Sequence, residues 1–255
     1  MTPITVTSRK NETLVRLKRL GQSAAFRRQE GEFVCDGAKL LAEALAHGAE
    51  VRTLVCTDLP ELPIPENTRV LLTPRDVLES ISPMDTPQGV LFSCAVPEED
   101  ESPLPGELLI LENVQDPGNV GTVLRTANAF GCGAVVLVGA CADPYSPKTI
   151  RASMGAVFRQ RFCRRSLEEI AELVRNGLIL YGAALYGSVV SLDRADLAGV
   201  SVAVGSEGRG LSPEMLELCR GSIRIPMAPE CESLNAAAAA AVLLWEMRRA
   251  REKKS

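Results

Sequence analysis

Histidine is almost absent: the 255-residue chain holds one, His47, in the run LAEALAHG just before a glycine. A side chain there suits a helix C-terminus better than it suits chemistry, and a histidine-based triad is not expected. The cysteines, at 35, 56, 94, 132, 141, 163, 219 and 231, never form a C-x-x-C pair. Neither a zinc ribbon nor a dithiol redox motif is offered, so no metal is expected and the thiols read as buried and reduced. Long apolar runs are missing as well. The longest, Ala236 to Trp245, is too short to cross a bilayer, and the first twenty residues lack the continuous apolar core of a signal peptide. These absences point to a cytoplasmic protein without a membrane partner.

What is present is 46% apolar residues with few aromatics, a composition that fits a globular α/β protein. The formal net charge of −4 argues weakly against a nucleic-acid partner, yet it is unevenly spread. Residues 1–30 carry seven Lys/Arg, among them Arg9, Lys10, Arg16, Lys18 and Arg19, against two Glu. Residues 148–165 carry Lys148, Arg151, Arg159, Arg161, Arg164 and Arg165 with no acid. Clusters of this size can neutralise several phosphates, and solvated surface charge explains either one alone equally well.

An acidic, proline-rich stretch, PEEDESPLPG (Pro97 to Gly106), reads as a linker. It divides the chain into a first domain at 1–96 and a second at 107–255. In the first, a basic helix is expected near 11–28, helices at Ala38 to His47 and Pro74 to Ser80, and strands at Glu32 to Cys35, Val51 to Thr57, Val70 to Leu72 and Gly89 to Cys94. In the second, strands are expected at Leu108 to Leu111, Ala134 to Val138, Leu178 to Ala183, Val200 to Val204 and Ser222 to Ile225. Helices between them imply a mainly parallel sheet covered on both faces. The alanine run at 236–241 opens a final helix whose small residues allow close packing of another backbone or subunit, or simple core packing.

Three stretches can carry chemistry. The first, DPGNVGTVLRTANAFG (Asp116 to Gly131), reads as a turn and then an amphipathic helix with Asn119 at its start. Asn119 is placed to cap that helix. Arg125 lies six residues on, which inside one helix is roughly 240° of rotation, so the two converge only if Asn119 projects from the loop. The second, VSVAVGSEGRGLSP (Val200 to Pro213), is a strand, a glycine loop and a Ser-Pro helix start. Its glycines are spaced G-x-x-G-x-G rather than as a dinucleotide fingerprint, and Glu207 is either solvated or orients a cation. The third, IRIPMAPECESLNAAAAAAVLLW (Ile223 to Trp245), leads through Ser233 or Asn235 as the expected N-cap into the alanine helix.

Taken in order, these stretches resemble the three motifs of the SpoU/TrmH branch of the SPOUT RNA methyltransferases, and the similarity, with DPYSPKTIRASMGAVFR (Asp143 to Arg159), covers residues 107–250. The first 96 residues, with SRKNETLVRLKRL and EFVCDGAKLLAEAL, look like the substrate-binding domain of many ribosomal-RNA members. The resemblance implies an α/β knot with a deep trefoil in the second domain, preceded by a smaller α/β RNA-binding domain of ribosomal-protein type. It implies S-adenosylmethionine as methyl donor, a ribose 2′-hydroxyl as nucleophile and a homodimer. It implies Arg125 as the principal catalytic residue, with Asn119, Glu207, Ser233 and Asn235 in support, and a cofactor pocket at the backbone around Gly205, Ile225 and Leu234 with Met227 nearby. Arg9, Lys10, Arg16, Lys18, Arg19, Lys148 and Arg151 are the expected RNA contacts.

The chain departs from the family at Ala228 to Glu232, where members often have a smaller, glycine-containing loop; here Pro229 stiffens it and Glu230 adds charge near a polyanion. The extra first domain favours ribosomal RNA as substrate. Transfer RNA, or a non-catalytic RNA-binding or ribosome-assembly role on the same scaffold, are the alternatives.

Overall fold

The computed structural model describes residues 2–98, 100, 102–184, 189–231 and 233–254. Glu99 and Glu101 of the expected linker, and Glu232 of the departing loop, lie outside the described residues. The chain divides into two compact units, Met1–Glu98 with Asp143–Arg159, and Glu99–Ala142 with Gln160–Ser255.

The first unit begins with β1 (Ile4–Thr5), α1 (Glu12–Gln22), α2 (Ala24–Glu30), β2 (Glu32–Asp36) and α3 (Ala38–Ala46). It continues through β3 (Val51–Cys56), β4 (Arg69–Leu72), α4 (Arg75–Glu79) and β5 (Val90–Ala95). Its sheet runs β1-β4-β3-β5-β2, parallel at β1, β4 and β3 and antiparallel where β5 meets β3 and β2. The single basic helix expected near 11–28 is two helices. Ser23 is extended (φ −125°) and its Oγ accepts the N–H of Phe26, so one residue ends α1 and caps α2. Leu14, Leu17 and Leu20 recur at helical spacing on α1 and pack with Val34, Val55, Leu71 and Leu91 of the sheet. His47 is the C-cap of α3, its Nδ1 2.9 Å from the Glu43 carbonyl.

The second unit opens with β6 (Leu108–Glu112), α5 (Pro117–Ala129) and β7 (Ala134–Val138). The chain then forms α6 (Pro147–Ser153) and returns through β8 (Phe162–Arg165), α7 (Leu167–Arg175), β9 (Leu180–Ala183), β10 (Val189–Ser191), β11 (Ser201–Val204), α8 (Pro213–Leu218), β12 (Ser222–Arg224) and α9 (Ala236–Glu252). The sheet order is β10-β12-β9-β11-β6-β7-β8, and every neighbouring pair is parallel. Side chains alternate across β6: Leu109 and Leu111 pack toward α5 and α9, while Leu108 and Ile110 pack toward α7 and α8. This is the doubly covered parallel sheet the apolar runs imply. The short edge strands β1, β8 and β10 had no clear sequence signal, because none is a continuous apolar run.

The division expected at 97–106 puts all of 107–255 in one domain, whereas Asp143–Arg159, with α6, packs into the first unit. Several interactions hold it there, among them an Arg159–Glu43 ion pair and two centred on buried Arg27 and Phe33. Arg27, 5% exposed, donates from Nε and Nη2 to Asp143 Oδ2 at 2.9 and 2.6 Å and from Nη1 to the Leu20 carbonyl. The ring of buried Phe33 lies 4.7 Å from that of Tyr145 and 6.2 Å from that of Phe158. Removing one partner of a buried ion pair strands the other, so Arg27→Ala is expected to cost about 3 kcal/mol in urea unfolding of the full chain. An unchanged midpoint would show that this pair does not anchor the segment.

Candidate functional site

In the second sheet the chain runs outward from β6 through β7 to β8 on one side, and β9 to β12 fill the other. The strand order therefore reverses between β6 and β11. At such a switch point the loops after the strands part and leave a crevice at the carboxyl ends. A cavity of about 650 Å³ lies there, lined from one side by Asn113, Gln115 and Asp116 and from the other by Glu207, Arg209 and Ser212.

The helix that leaves β6 starts earlier than its sequence suggests. Its N-cap is Asp116, whose Oδ1 accepts the Asn119 N–H at 2.9 Å, and Pro117 occupies the first helical position. Proline has no N–H to lose there and a preset φ, so Asp-Pro-Gly opens a helix rather than only turning the chain. The expectation that Asn119 caps the helix and projects from the loop is thereby corrected: Asn119 is inside α5. Arg125 consequently points away from it, about 9 Å further along the axis and roughly 240° around.

Asn119 is instead joined to two distant segments. Glu207 Oε1 accepts from Asn119 Nδ2, from Asn235 Nδ2 at 2.7 Å and from the Ala236 N–H at 3.3 Å. Asn235 Nδ2 also reaches Asn119 Oδ1 at 3.1 Å, while its Oδ1 caps α9 by accepting from Ala237 and Ala238. Of the two expected N-caps, Asn235 takes the role. A single carboxylate, itself exposed, thus collects donors from α5 and α9 into the glycine loop, and it makes no ion pair with Arg125 among the described residues. Exposed Arg125 makes no hydrogen bond or ion pair among the described residues, and neither does the hydroxyl of exposed Ser233.

The glycine loop is held from below. Glu112, the last residue of β6 and 3% exposed, accepts from the Ser212 N–H at 2.8 Å and from Ser212 Oγ at 2.7 Å. The same Ser212 Oγ caps α8. Burial, with the charge of Glu112, pushes the Cys219 thiol up to about 12, so this cysteine stays protonated. Asn113, at φ +56°, accepts the Ala140 N–H on its Oδ1 at 2.8 Å and ties the loops after β6 and β7. Glu112, Asn113 and Asp116 were not anticipated. The signal available was an acid and an amide closing a fully apolar strand, LLILEN.

Gly205 follows β11 and Ile225 follows β12, both at the carboxyl edge of the parallel sheet, and Leu234 precedes the cap of α9. A Cβ on Gly205 would lie 2.1 Å from the Gly210 carbonyl carbon, so the loop folds back directly onto the strand end. The main-chain groups of half-buried Met227 and Leu234 take no partner among the described residues. Free donors and acceptors beside apolar side chains at strand ends fit a nucleoside-like molecule with a polar edge and an apolar body. Among the described residues no group of His, Cys, Asp or Glu is placed to hold a metal ion, and no helix is long and apolar enough to cross a membrane.

The basic residues fall into different settings. Arg9 pairs with Asp76 at 2.7 Å, Arg16 pairs with Glu30 at 2.8 Å and with Glu32, and the Arg19 guanidinium lies 4.0 Å from the Phe26 ring centroid. Lys10 and Lys18 are exposed with ammonium groups unpartnered among the described residues; Lys148 and Arg151 are exposed on α6. The 148–165 cluster is divided, because Arg161 and Arg164 in the second unit donate to the main-chain carbonyls of Pro103, Cys141 and Ala142.

Residues 107–245 match the SpoU rRNA Methylase family and residues 11–91 match the MRM3-like substrate binding domain. The 23S rRNA (guanosine(2553)-2′-O)-methyltransferase RlmP of Bacillus subtilis (strain 168) is 31% identical over 246 residues, 95% of this chain and 98% of that protein. Among solved structures, an AdoMet-bound rRNA methyltransferase from Sinorhizobium meliloti is 32% identical with a TM-score of 0.87, covering 96% of this chain and 97% of its own. The SpoU methyltransferase AviRb from Streptomyces viridochromogenes, in complex with AdoMet, is 27% identical with a TM-score of 0.85, covering 95% and 99%.

Because Gly205 touches Gly210 backbone to backbone, Gly205→Ala is expected to displace the glycine loop. The loss should be on the order of 2 kcal/mol, with faster hydrogen exchange at the Gly210 N–H, which donates to the Ser206 carbonyl at 2.8 Å. Unaltered exchange at that amide would contradict the close approach.

Proposed function

The chain belongs to the SpoU rRNA methylase family, and on that premise we propose that it transfers the methyl group of S-adenosylmethionine to a ribose 2′-hydroxyl in ribosomal RNA. The observation that carries this reading is the union of Asn119, Glu207 and Asn235 in one hydrogen-bonded cluster at the sheet's switch point. These residues come from three separate motifs, and a purely structural cap would need only Asn235. The match to a substrate-binding domain over residues 11–91 favours a large structured RNA. The enzyme works in the cytoplasm on this reading.

The main-chain groups around Gly205, Ile225, Met227 and Leu234 would hold S-adenosylmethionine. When bound, it supplies an electrophilic methyl on a sulfonium centre. The chain's own residues have the harder task, because a ribose hydroxyl is almost wholly protonated at neutral pH; positioning and stabilisation of the developing alkoxide dominate. Arg125 offers a planar guanidinium with five donors that is not engaged by another described side chain. It anchors the phosphate beside the target ribose and stabilises the alkoxide, while the hydroxyl proton leaves to a neighbouring phosphate or to water. Glu207, fixed by three donors, holds the N-terminus of α9 and the glycine loop in register, and Ser233 adds a free hydroxyl at the same mouth.

Arg125 and the cluster lie on different sides of α5, and a homodimer reconciles them. Beside exposed Thr122, Arg125 and Ala129 of α5, the outer face of α9 presents Ala238, Val242 (38% exposed) and Trp245 (48% exposed). The two helices run side by side: Asn119 meets Asn235 at one end, and Phe130 meets Trp245 at 5.6 Å at the other. This small and apolar face, with Arg125 within it, suits a second copy of the chain.

Arg125→Lys is expected to lower kcat about 100-fold while S-adenosylmethionine affinity by calorimetry is unchanged; near-normal turnover would remove the guanidinium from the chemistry. Light scattering at micromolar concentration is expected to give a dimer, and a monomer would overturn the interface.

A further inference from the structure

The first unit contains a cavity of about 540 Å³, within the range of roughly 300–1,000 Å³ typical of small-molecule sites. Its apolar wall comes from Val34, Leu40, Met84 and Ile150, and its polar side chains are Asp36, Glu43, Thr86, Gln88 and the cations Lys39 and Arg151, with the Glu43 carboxylate already paired to Arg159. All of these belong to the first unit, and Lys39 and Arg151 are exposed.

Asp36 is the informative residue. Its Oδ2 accepts from Ser82 Oγ at 2.8 Å and its Oδ1 from the Gln88 N–H at 3.3 Å, which leaves a lone pair on each oxygen. It forms no ion pair among the described residues, and burial pushes its carboxyl up although the Ser82 and Gln88 hydrogen bonds and the charge of Arg151 oppose this. A desolvated carboxylate without a bonded cation is a cost to the fold. In a domain that meets a polyanion it is also misplaced for phosphate, and well placed for N–H donors. Gly37, at φ +113°, brings the turn from β2 to α3 against this wall, where a Cβ would meet Gln88 Oε1 at 3.0 Å. The hydrogen bonds from Ser82 and from the Gln88 main chain therefore hold the carboxylate at the wall of the cavity.

We propose that this cavity receives an unstacked guanine of the RNA substrate, with N1–H and N2–H₂ donating to the two oxygens of Asp36. The ring lies against Val34, Leu40, Met84 and Ile150, and the flanking phosphates lie near Lys39 and Arg151. Sequence-specific RNA recognition favours splayed bases read on their Watson–Crick edge. Among the four bases only guanine sets two donors side by side on that edge; cytosine and adenine place one donor beside a ring acceptor, and uracil flanks its single N–H with carbonyls. The cavity would thus select the site, and it rests on the reading of the protein as an RNA methyltransferase.

The test uses the full chain, unmodified 23S ribosomal RNA and two variants. Ala42→Phe fills the cavity from α3, and Asp36→Asn places an amide where the carboxylate stood. Each is expected to weaken RNA binding at least tenfold by fluorescence anisotropy and to raise the RNA KM, with S-adenosylmethionine affinity within twofold of wild type. Asp36→Asn is expected to leave Tm unchanged or higher, which separates binding from folding. RNA carrying 6-thioguanosine should photocrosslink within residues 34–43 or 82–88. RNA Kd values within twofold of wild type for both variants would overturn the proposal, as would crosslinks there from 4-thiouridine and not from 6-thioguanosine. Wild-type protein that binds the RNA but neither binds S-adenosylmethionine nor methylates would defeat the methyltransferase reading alone, since the Kd comparison still decides the cavity. Wild-type protein that fails to bind the RNA would defeat both.

Discussion

The carboxylate of Glu207 is the point on which the second unit's site depends. Its Oε1 accepts from Asn119 of α5, from Asn235 before α9 and from the main chain of Ala236. An ionised acceptor binds such donors about twice as strongly as a neutral one. Three segments separated by 88 and 28 residues in sequence are thereby fixed at one place. Without that acceptor, the side-chain amides of Asn119 and Asn235 would lose their common partner, and the start of α9 would no longer be referenced to the glycine loop.

The sheet makes this convergence possible. All strands of the second unit run parallel, so every strand delivers its following loop to the same edge. Reversal of strand order between β6 and β11 separates two of those loops and opens the crevice. Below it, buried Glu112 holds Ser212 and so fixes the far end of the glycine loop. Gly205 allows the loop to fold back onto its own strand, a contact no side chain would permit. Arg125 stays outside this network, which leaves its charge available to a partner molecule. The first unit repeats the economy on a smaller scale, since the turn after β2 holds Asp36 at the wall of an apolar cavity.

Much of this was legible in the sequence. Apolar runs of strand length with helical patterns between them gave the doubly covered parallel sheet, and Ser212-Pro213 and Asn235 marked their helix starts as capping chemistry predicts. Other features were not legible, for identifiable reasons. Asp116-Pro117 reads as a turn from local propensity, and only the carboxylate's bond to the Asn119 N–H makes it a helix start. The return of Asp143–Arg159 to the first unit depends on Arg27 and Phe33, more than a hundred residues away, and no composition break marks it. The basic runs suggested two phosphate-binding patches, but sequence does not reveal which cations are already occupied by Glu30, Glu32 or main-chain carbonyls. The cluster around Glu207 was recognisable only as three motifs in order, because hydrogen bonds across 116 residues leave no local pattern.

The most direct measurement is a map of ribose 2′-O-methylation across ribosomal RNA from cells with and without this gene. The account predicts that one methylated ribose disappears with the gene, returns with the wild-type chain and does not return with Glu207→Ala. Identical maps with and without the gene would contradict it.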